Sequence, residues 1–197
     1  MNINSAELFA PVYNRAFKSI MNHTKERWTF PGGRASCKSS FISICVVILI
    51  VLFPNYNAVV VRKHKNTLRY SVFEQIVWAI DKLHLRRSNG KKAGFKIPKS
   101  KTAALPIVYI RKNGKEQNIL FVGLDDAEKS KSMKISNGYI AILWCEEKTE
   151  VEPADLQNLK ISALRGGNTF YMFESYNPPS STRHWCNTEA RTEDPHR

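Results

Sequence analysis

The sequence contains no C-x-x-C spacing among Cys37, Cys45, Cys145 and Cys186, and no histidine pair at zinc-ligand intervals. Neither a disulfide framework nor a structural metal site is indicated. Thiols scattered in this way suit a reducing compartment, so the expected location is cytoplasm. The chain also lacks an apolar run long enough to cross a bilayer comfortably. The longest, residues 41–53, is thirteen residues interrupted only by Ser43, against the roughly 20 that a membrane span needs. A buried helix is the better reading of it, with a short anchor as the competing one. Acidic residues are scarce at the start: residues 1–100 hold 17 Lys and Arg against 4 Asp and Glu, whereas residues 101–197 hold 13 of each. The formal charge of +13 therefore lies wholly in the first half. Such a field favours a polyanion as partner, with a basic solvated surface as the alternative. His64, His84 and His184 have no identified partner and read as solvated.

What is present suffices for one packed domain: 197 residues, 43% of them hydrophobic and 11% aromatic. Leu8, Val12, Phe17 and Ile20 give residues 1–26 a weak helical pattern, an arm ahead of the domain proper. Arg27-Trp28-Thr29-Phe30 predicts a short strand. It enters the turn Pro31-Gly32-Gly33-Arg34-Ala35-Ser36-Cys37, and an apolar helix follows from Ser39 to before Pro54. Ala58-Val59-Val60-Val61 is apolar and largely β-branched, as expected of a strand covered on both faces of a parallel sheet. Thr67 is placed to cap a helix carrying Leu68, Val72, Ile76, Val77, Ile80 and Leu83. Two such βα units predict an α/β fold with a mostly parallel central sheet flanked by helices.

Farther along, Arg86-Arg87-Ser88-Asn89-Gly90-Lys91-Lys92, with Lys96, Lys99 and Lys101, reads equally as a solvated loop or a DNA-facing one. Strands at 107–110 and 118–122 flank Asn113-Gly114, which predicts an inserted β-hairpin. Asp125-Asp126-Ala127-Glu128-Lys129 reads as a short helix start. An apolar strand from Tyr139 ends in Glu146-Glu147, and a helix begins at Pro153 and closes at Gly166-Gly167. A last strand, residues 169–173, runs into Glu174-Ser175-Tyr176-Asn177-Pro178-Pro179. Residues 181–197 are polar and patternless, and are expected to be a poorly ordered tail.

The chemistry-bearing stretch is Gly32 to Ser40. It follows the phosphate-loop pattern G-x-x-x-x-G-K-[ST] with Cys37 in place of the last glycine. In that arrangement backbone N–H groups and a helix N-terminus face phosphates. Nucleotide hydrolysis needs cations on the phosphates, Mg²⁺ held by a hydroxyl and a carboxylate, and a second carboxylate for the attacking water. Lys38 would meet the phosphates, Ser39 and Glu146 would hold the metal, and Glu147 would address the water. A structural turn and an ordinary strand end are the competing readings of these two segments taken singly.

Several segments in one order resemble a known family. They include Gly32-Gly33-Arg34 with Lys38-Ser39-Ser40-Phe41-Ile42-Ser43, Asn57-Ala58-Val59-Val60-Val61-Arg62-Lys63, Asn66-Thr67-Leu68-Arg69 and Gln75-Ile76-Val77-Trp78-Ala79-Ile80-Asp81-Lys82-Leu83. Farther on come Leu120-Phe121-Val122-Gly123-Leu124-Asp125-Asp126, Leu143-Trp144-Cys145-Glu146-Glu147 and Ser175-Tyr176-Asn177-Pro178-Pro179. Together they resemble the large terminase subunit of tailed phages and prophages, in the PBSX-like branch of defective Bacillus prophages, over about residues 10–187.

The resemblance implies a RecA-like P-loop NTPase of the ASCE class over residues 27–180, binding ATP and Mg²⁺. With a portal protein and a small terminase subunit, such a motor packs double-stranded DNA into a procapsid in the host cytoplasm, with no membrane involved. Gly32, Gly33, Arg34, Ala35, Ser36, Cys37, Lys38, Ser39 and Ser40 would then form the nucleotide loop. Arg34 would sense or stabilise the γ-phosphate, Glu147 would be catalytic, and Ser175, Tyr176 and Asn177 would couple hydrolysis to movement. The family's C-terminal nuclease domain is expected to be missing. Three departures stand out: Ala35 and Cys37 replace family glycines, Val122 stands where an arginine is usual, and residues 191–197 match no family pattern. An impaired motor domain and a non-catalytic remnant with a basic DNA- or partner-binding surface both remain open on these residues.

Overall fold

The computed structural model describes residues 5–88, 90–100, 103–125, 133 and 135–193. Seven strands form one sheet in the order β1-β7-β6-β2-β5-β4-β3. They are β1 (Arg27–Pro31), β2 (Tyr56–Arg62), β3 (Gly94–Lys96), β4 (Ile107–Ile110), β5 (Glu116–Gly123), β6 (Tyr139–Glu146) and β7 (Tyr171–Tyr176). The first five in that spatial order run parallel, while β4 and then β3 are added at one edge by antiparallel pairing, so that β4 alone runs against the rest. The expected α/β sheet is thus present, and its antiparallel edge is the expected hairpin plus one more strand. Strand β2 takes the centre because Ala58 to Val61 are all fully buried, an apolar run covered on both faces.

The helices are α1 (Ser5–Leu8), α2 (Asn14–Met21), α3 (Lys38–Leu52), α4 (Glu74–Lys82), α5 (Pro153–Ala163) and α6 (Trp185–Glu193). Helix α3 is apolar all round and buries every residue from Phe41 to Ile50, as a core helix does. No helix among the described residues is long and apolar enough to cross a membrane. With α4, α3 fills one face of the sheet; α5 covers the other through Leu156, Leu159 and Ala163. The N-terminal arm lies on α3, where Tyr13 stacks on Phe41 with ring centroids 4.4 Å apart.

Two buried amides knit the sheet to its surroundings. Asn57 donates to the carbonyls of Asn137 and Tyr139 and accepts from the Asn118 amide, so one side chain bridges the irregular β2–β6 register and β5. Gln117 donates to the carbonyls of Ile50, Phe53 and Tyr56, which tethers the end of α3 to β5. A buried amide left unpaired costs about 1–3 kcal/mol, so these contacts also fix register.

Three local expectations change, and a fourth falls largely outside the described residues. Thr67 does not cap a helix: its hydroxyl donates to the His64 carbonyl at 2.7 Å, and a π-helical turn at Arg69–Phe73 precedes α4. The Phe73 amide reaches the Leu68 carbonyl five residues back, which defines that wider turn. Strand β7 extends through Glu174, Ser175 and Tyr176 because the flanking strands β1 and β6 pair with it there and its polar side chains find partners. Residues 185–193, expected to be poorly ordered, form α6; Cys186 is buried and Glu189 is ion-paired, so long-range charge contacts take the place of an apolar pattern. The helix start expected at Asp125 to Lys129 falls, after Asp125, outside the described residues.

Candidate functional site: a glycine-rich loop at the strand ends

The parallel strands β1, β7, β6 and β2 finish at the same edge of the sheet, the edge at which open α/β sheets bind ligands. Residues 32–37 link β1 to α3 there. The Gly32 amide donates to the Tyr176 carbonyl at 3.1 Å, which fastens the loop's entry to the end of β7. A Cβ at Gly32 would lie 3.0 Å from the Ser36 Oγ, so the turn is tight. From the arm, the Tyr13 hydroxyl donates to the Ser36 carbonyl at 2.6 Å.

Ala35 and Cys37 both sit in the left-handed region, at φ 64° and 57°. These are the two positions at which the resembled pattern has glycine and this chain does not. Left-handed backbone costs a residue with a Cβ about 1–2 kcal/mol, so the loop keeps a glycine-type path with residues that resist it. Cys37 caps α3 without a side-chain hydrogen bond, and the first turn of α3 carries no acid. Its leading amides are therefore not taken up by a capping side chain, which suits an anion.

Lys38 turns back across this loop. Its Nζ donates to the Gly32 carbonyl at 2.9 Å, the Gly33 carbonyl at 3.3 Å and the Asn177 Oδ1 at 2.9 Å. Ser39 Oγ donates to Glu146 Oε1 at 3.2 Å. The Lys38–Asn177 and Ser39–Glu146 contacts each join segments more than 100 residues apart, as the strand order brings them together. The second carboxylate oxygen, Glu146 Oε2, lies 3.1 Å from Arg62 Nε, yet neither buried atom makes an aligned hydrogen bond. Burial raises the Glu146 carboxyl above its ordinary range, and nearby Glu147 adds to this, while Arg62, the Ser39 hydroxyl and Lys38 oppose it.

Other expected site residues are nearby without being joined to this cluster. Arg34 is exposed, with no hydrogen bond or ion pair to another described residue. Glu147 adopts left-handed φ 53° and ψ 50°, and its carbonyl accepts the Glu150 amide at 2.9 Å. Its carboxylate makes no hydrogen bond or ion pair with another described residue. Ser175 is fully buried and accepts the Trp144 indole N–H at 3.0 Å, so it faces the α3 side of the sheet. The Tyr176 side chain is buried, with the Lys148 ammonium 5.8 Å from its ring. Ser40 accepts from Gln75 Nε2 at 3.3 Å. A pocket of about 560 Å³ opens beside Ser39, Ser40 and Glu146, walled by α4 and its preceding turn through Ser71, Glu74, Gln75 and Trp78.

Sequence reasoning assigned no role to Arg62 or to Lys148 and Glu174, a pair buried behind the strand ends. For Arg62 a signal existed: it ends β2 beside the end of β6, and the register Val61 with Cys145 sets it next to Glu146. Val122, at the position of the usual arginine, is buried against Val59 and Val61 instead.

The raised Glu146 carboxyl has a consequence for stability. Between the unfolded and the folded titration points the native chain holds a proton that the unfolded chain has released, so this group's stabilising contribution is full below the unfolded value and is lost as pH rises through the folded one. Glu146→Gln removes that titration. Denaturant midpoints without divalent cations should therefore move steadily in favour of the variant as pH rises above the ordinary carboxylate range. A difference that stays constant, or that moves in favour of the wild type as pH rises, contradicts the buried state of Glu146.

Comparison with known proteins agrees with this geometry. The family model described as phage terminase large subunit matches residues 25–197. The terminase large subunit of Bacillus phage SPP1 is 32% identical over 190 residues, which span 94% of this chain and 42% of that protein. Among solved structures, the large terminase of a thermophilic bacteriophage superimposes with a TM-score of 0.66 at 12% identity, covering 90% of this chain and 42% of its own. The same protein in complex with ADP gives 0.63 at 15% identity, with the same coverage. The N-terminal domain of the DNA packaging ATPase of bacteriophage phi29 gives 0.58 at 13% identity, covering 88% of this chain and 80% of that domain. At such identities the structures show the fold alone, a RecA-like mixed α/β sheet. The chain spans less than half the length of the SPP1 protein and of the thermophilic phage's terminase. By its sequence match and its fold, the chain belongs to the phage terminase large subunit family.

Proposed function

We propose that the chain is the ATP-hydrolysing part of a DNA packaging motor, acting in the cytoplasm of a bacterial host. The observation that carries this is the meeting of Lys38, Ser39, Glu146 and Asn177 at the ends of β1, β6 and β7. The loop amides and Lys38 would bind the nucleotide phosphates, which compete with Gly32, Gly33 and Asn177 for the ammonium. Magnesium suits the oxygen donors here, since Glu146 Oε2 is buried without a hydrogen bond and Ser39 supplies a hydroxyl. Magnesium commonly takes one or two protein oxygens and completes its shell with phosphate and water. The metal would neutralise phosphate charge. Glu147 would orient the attacking water, and Arg34 would reach the γ-phosphate.

Asn177 would serve as the coupling group. Drawing Lys38 towards phosphate weakens its bond to Asn177, which frees the end of β7 to move. Ser175 and Tyr176, buried in that strand, would carry the displacement into the core. Portal protein and small terminase subunit are partners by family relationship.

Double-stranded DNA as partner is supported by charge. No acid occurs between Asp81 and Glu116, a stretch with eleven Lys and Arg. Within it, a cleft of about 510 Å³ on the β3 edge is lined by Arg86, Arg87, Lys91 and Lys96. Contacts of this kind follow phosphates and carry no sequence preference.

One observation favours a second reading, a non-catalytic remnant. Cβ atoms at Ala35 and Cys37 occupy a loop where the backbone must approach phosphate closely. Steady-state ATP turnover decides between the two: the motor reading expects a rate that falls at least about 100-fold in Lys38→Ala and in Glu147→Gln. Equal rates in all three proteins support the remnant. Retention of duplex DNA should weaken steeply with salt and ignore sequence; binding that is salt-insensitive and sequence-dependent contradicts the assignment of the basic edge.

A further inference from the structure

Behind the nucleotide site lies a second ionic cluster. Lys148, 1% exposed, donates from Nζ to Glu174 Oε2 at 2.5 Å and also to Glu189 Oε2. Glu174 is fully buried and takes Arg27 Nη2 on the same oxygen at 2.6 Å, with the Thr29 hydroxyl at 3.4 Å. Arg27 Nη2 also pairs with Glu189 Oε1 at 2.8 Å. Lys160 Nζ is 3.9 Å from Glu174 Oε1, and the Lys148 ammonium lies 4.8 Å from the Trp185 ring centre. One cluster thus joins β1, the turn after β6, α5, β7 and α6.

Its position in the chain distinguishes it from ordinary stapling. Lys148 directly follows Glu147, and Glu174 directly precedes Ser175, so the buried pair connects the two segments assigned to water orientation and to coupling. Glu147 is held in a left-handed conformation that persists only when its surroundings over-determine it. On its carboxyl side the surroundings are the short turn Lys148–Glu150 and the anchored Lys148 side chain. Buried ion pairs add little stability over apolar packing, which makes orientation the better account of why charge is kept here. Burial lowers the Lys148 ammonium's affinity for its proton, but Glu174 and Glu189 outweigh this and hold it charged. Glu189 is likewise kept ionised against its burial by Lys148 and Arg27.

We propose that Lys148 is a positioning residue that holds the Glu147 turn against the Ser175–Asn177 segment, and that Glu189 completes the hold, so the seating of α6 sets the geometry of Glu147. The inference rests on the assignment of Glu147 as the carboxylate that orients water. It makes α6 a lever: a partner or a following segment that draws α6 away loosens the Glu147 turn without touching the nucleotide loop.

The test uses Glu189, whose side chain is 32% exposed, so that its truncation leaves the core intact. Hydrogen exchange and ATP kinetics are measured on the wild-type chain, Glu189→Ala and Glu189→Asp. In Glu189→Ala, the amides of Glu150 and Val151, which close the turn onto Glu147 and Lys148, should exchange about tenfold faster while β2 keeps its protection. Turnover should fall about tenfold in kcat with KM unchanged, and Glu189→Asp should recover much of both. Unchanged exchange at the turn overturns the proposal, as does an equal rise in β2, which would make Glu189 a general stabiliser. Absence of turnover in the wild-type chain counts against the hydrolytic role of Glu147, and the exchange comparison then decides the positioning role by itself.

Discussion

The Lys38 ammonium is the contact on which the site depends. A lysine side chain brings three donors and no acceptor, and here they are met by two loop carbonyls and the Asn177 amide oxygen. That single group closes residues 32–37 into a loop and ties it to the strand that leaves the sheet beside it. It can do so only because β1 and β7 pair in parallel, with Pro31 beside Tyr176. Strand order therefore comes first, the loop's shape second, and the meeting of Lys38 with Asn177 third. A phosphate entering the loop would act on β7 through the same three donors.

The site also holds strain. Ala35, Cys37 and Glu147 all carry left-handed backbone without being glycine, a cost of about 1–2 kcal/mol each. Each is held by neighbours of a different kind. The loop is fixed by Lys38, by the Gly32–Tyr176 backbone bond and by the Tyr13 hydroxyl on Ser36, whereas Glu147 is backed by the buried Lys148–Glu174 pair. The N-terminal arm thereby acquires a role that its weak helical pattern did not suggest, since Tyr13 both stacks on α3 and supports the loop. Local preference at residues 35 and 37 opposes the loop's path, and tertiary contacts override it.

Much of the architecture was readable because it rests on local patterns. The apolar runs of β2, β6 and α3 announce buried elements, and Asn113-Gly114 announces the hairpin. That Lys38 and Ser39 would come near Glu146 was readable because a loop after one parallel strand and acids ending another meet at the same edge of such a sheet. The remainder depends on register and on distant charges. Arg62 reaches Glu146 only through the alignment of β2 with β6; β7 runs past residue 173 only because two strands flank it; and α6 packs through Glu189 and Cys186, which no periodic pattern marks. The π-helical turn ahead of α4 arises from backbone pairing that Thr67 and its neighbours do not signal.

The central claim is that this loop still accepts nucleotide phosphates although Ala35 and Cys37 replace glycine. Calorimetric titration of the chain with a non-hydrolysable ATP analogue, with and without Mg²⁺, tests it most directly, with Ala35→Gly/Cys37→Gly and Lys38→Ala as companions. The account predicts Mg²⁺-dependent binding that strengthens in the glycine double variant and disappears in Lys38→Ala. Absence of binding in the natural chain would contradict it, and binding by the glycine double variant alone would place the defect at residues 35 and 37.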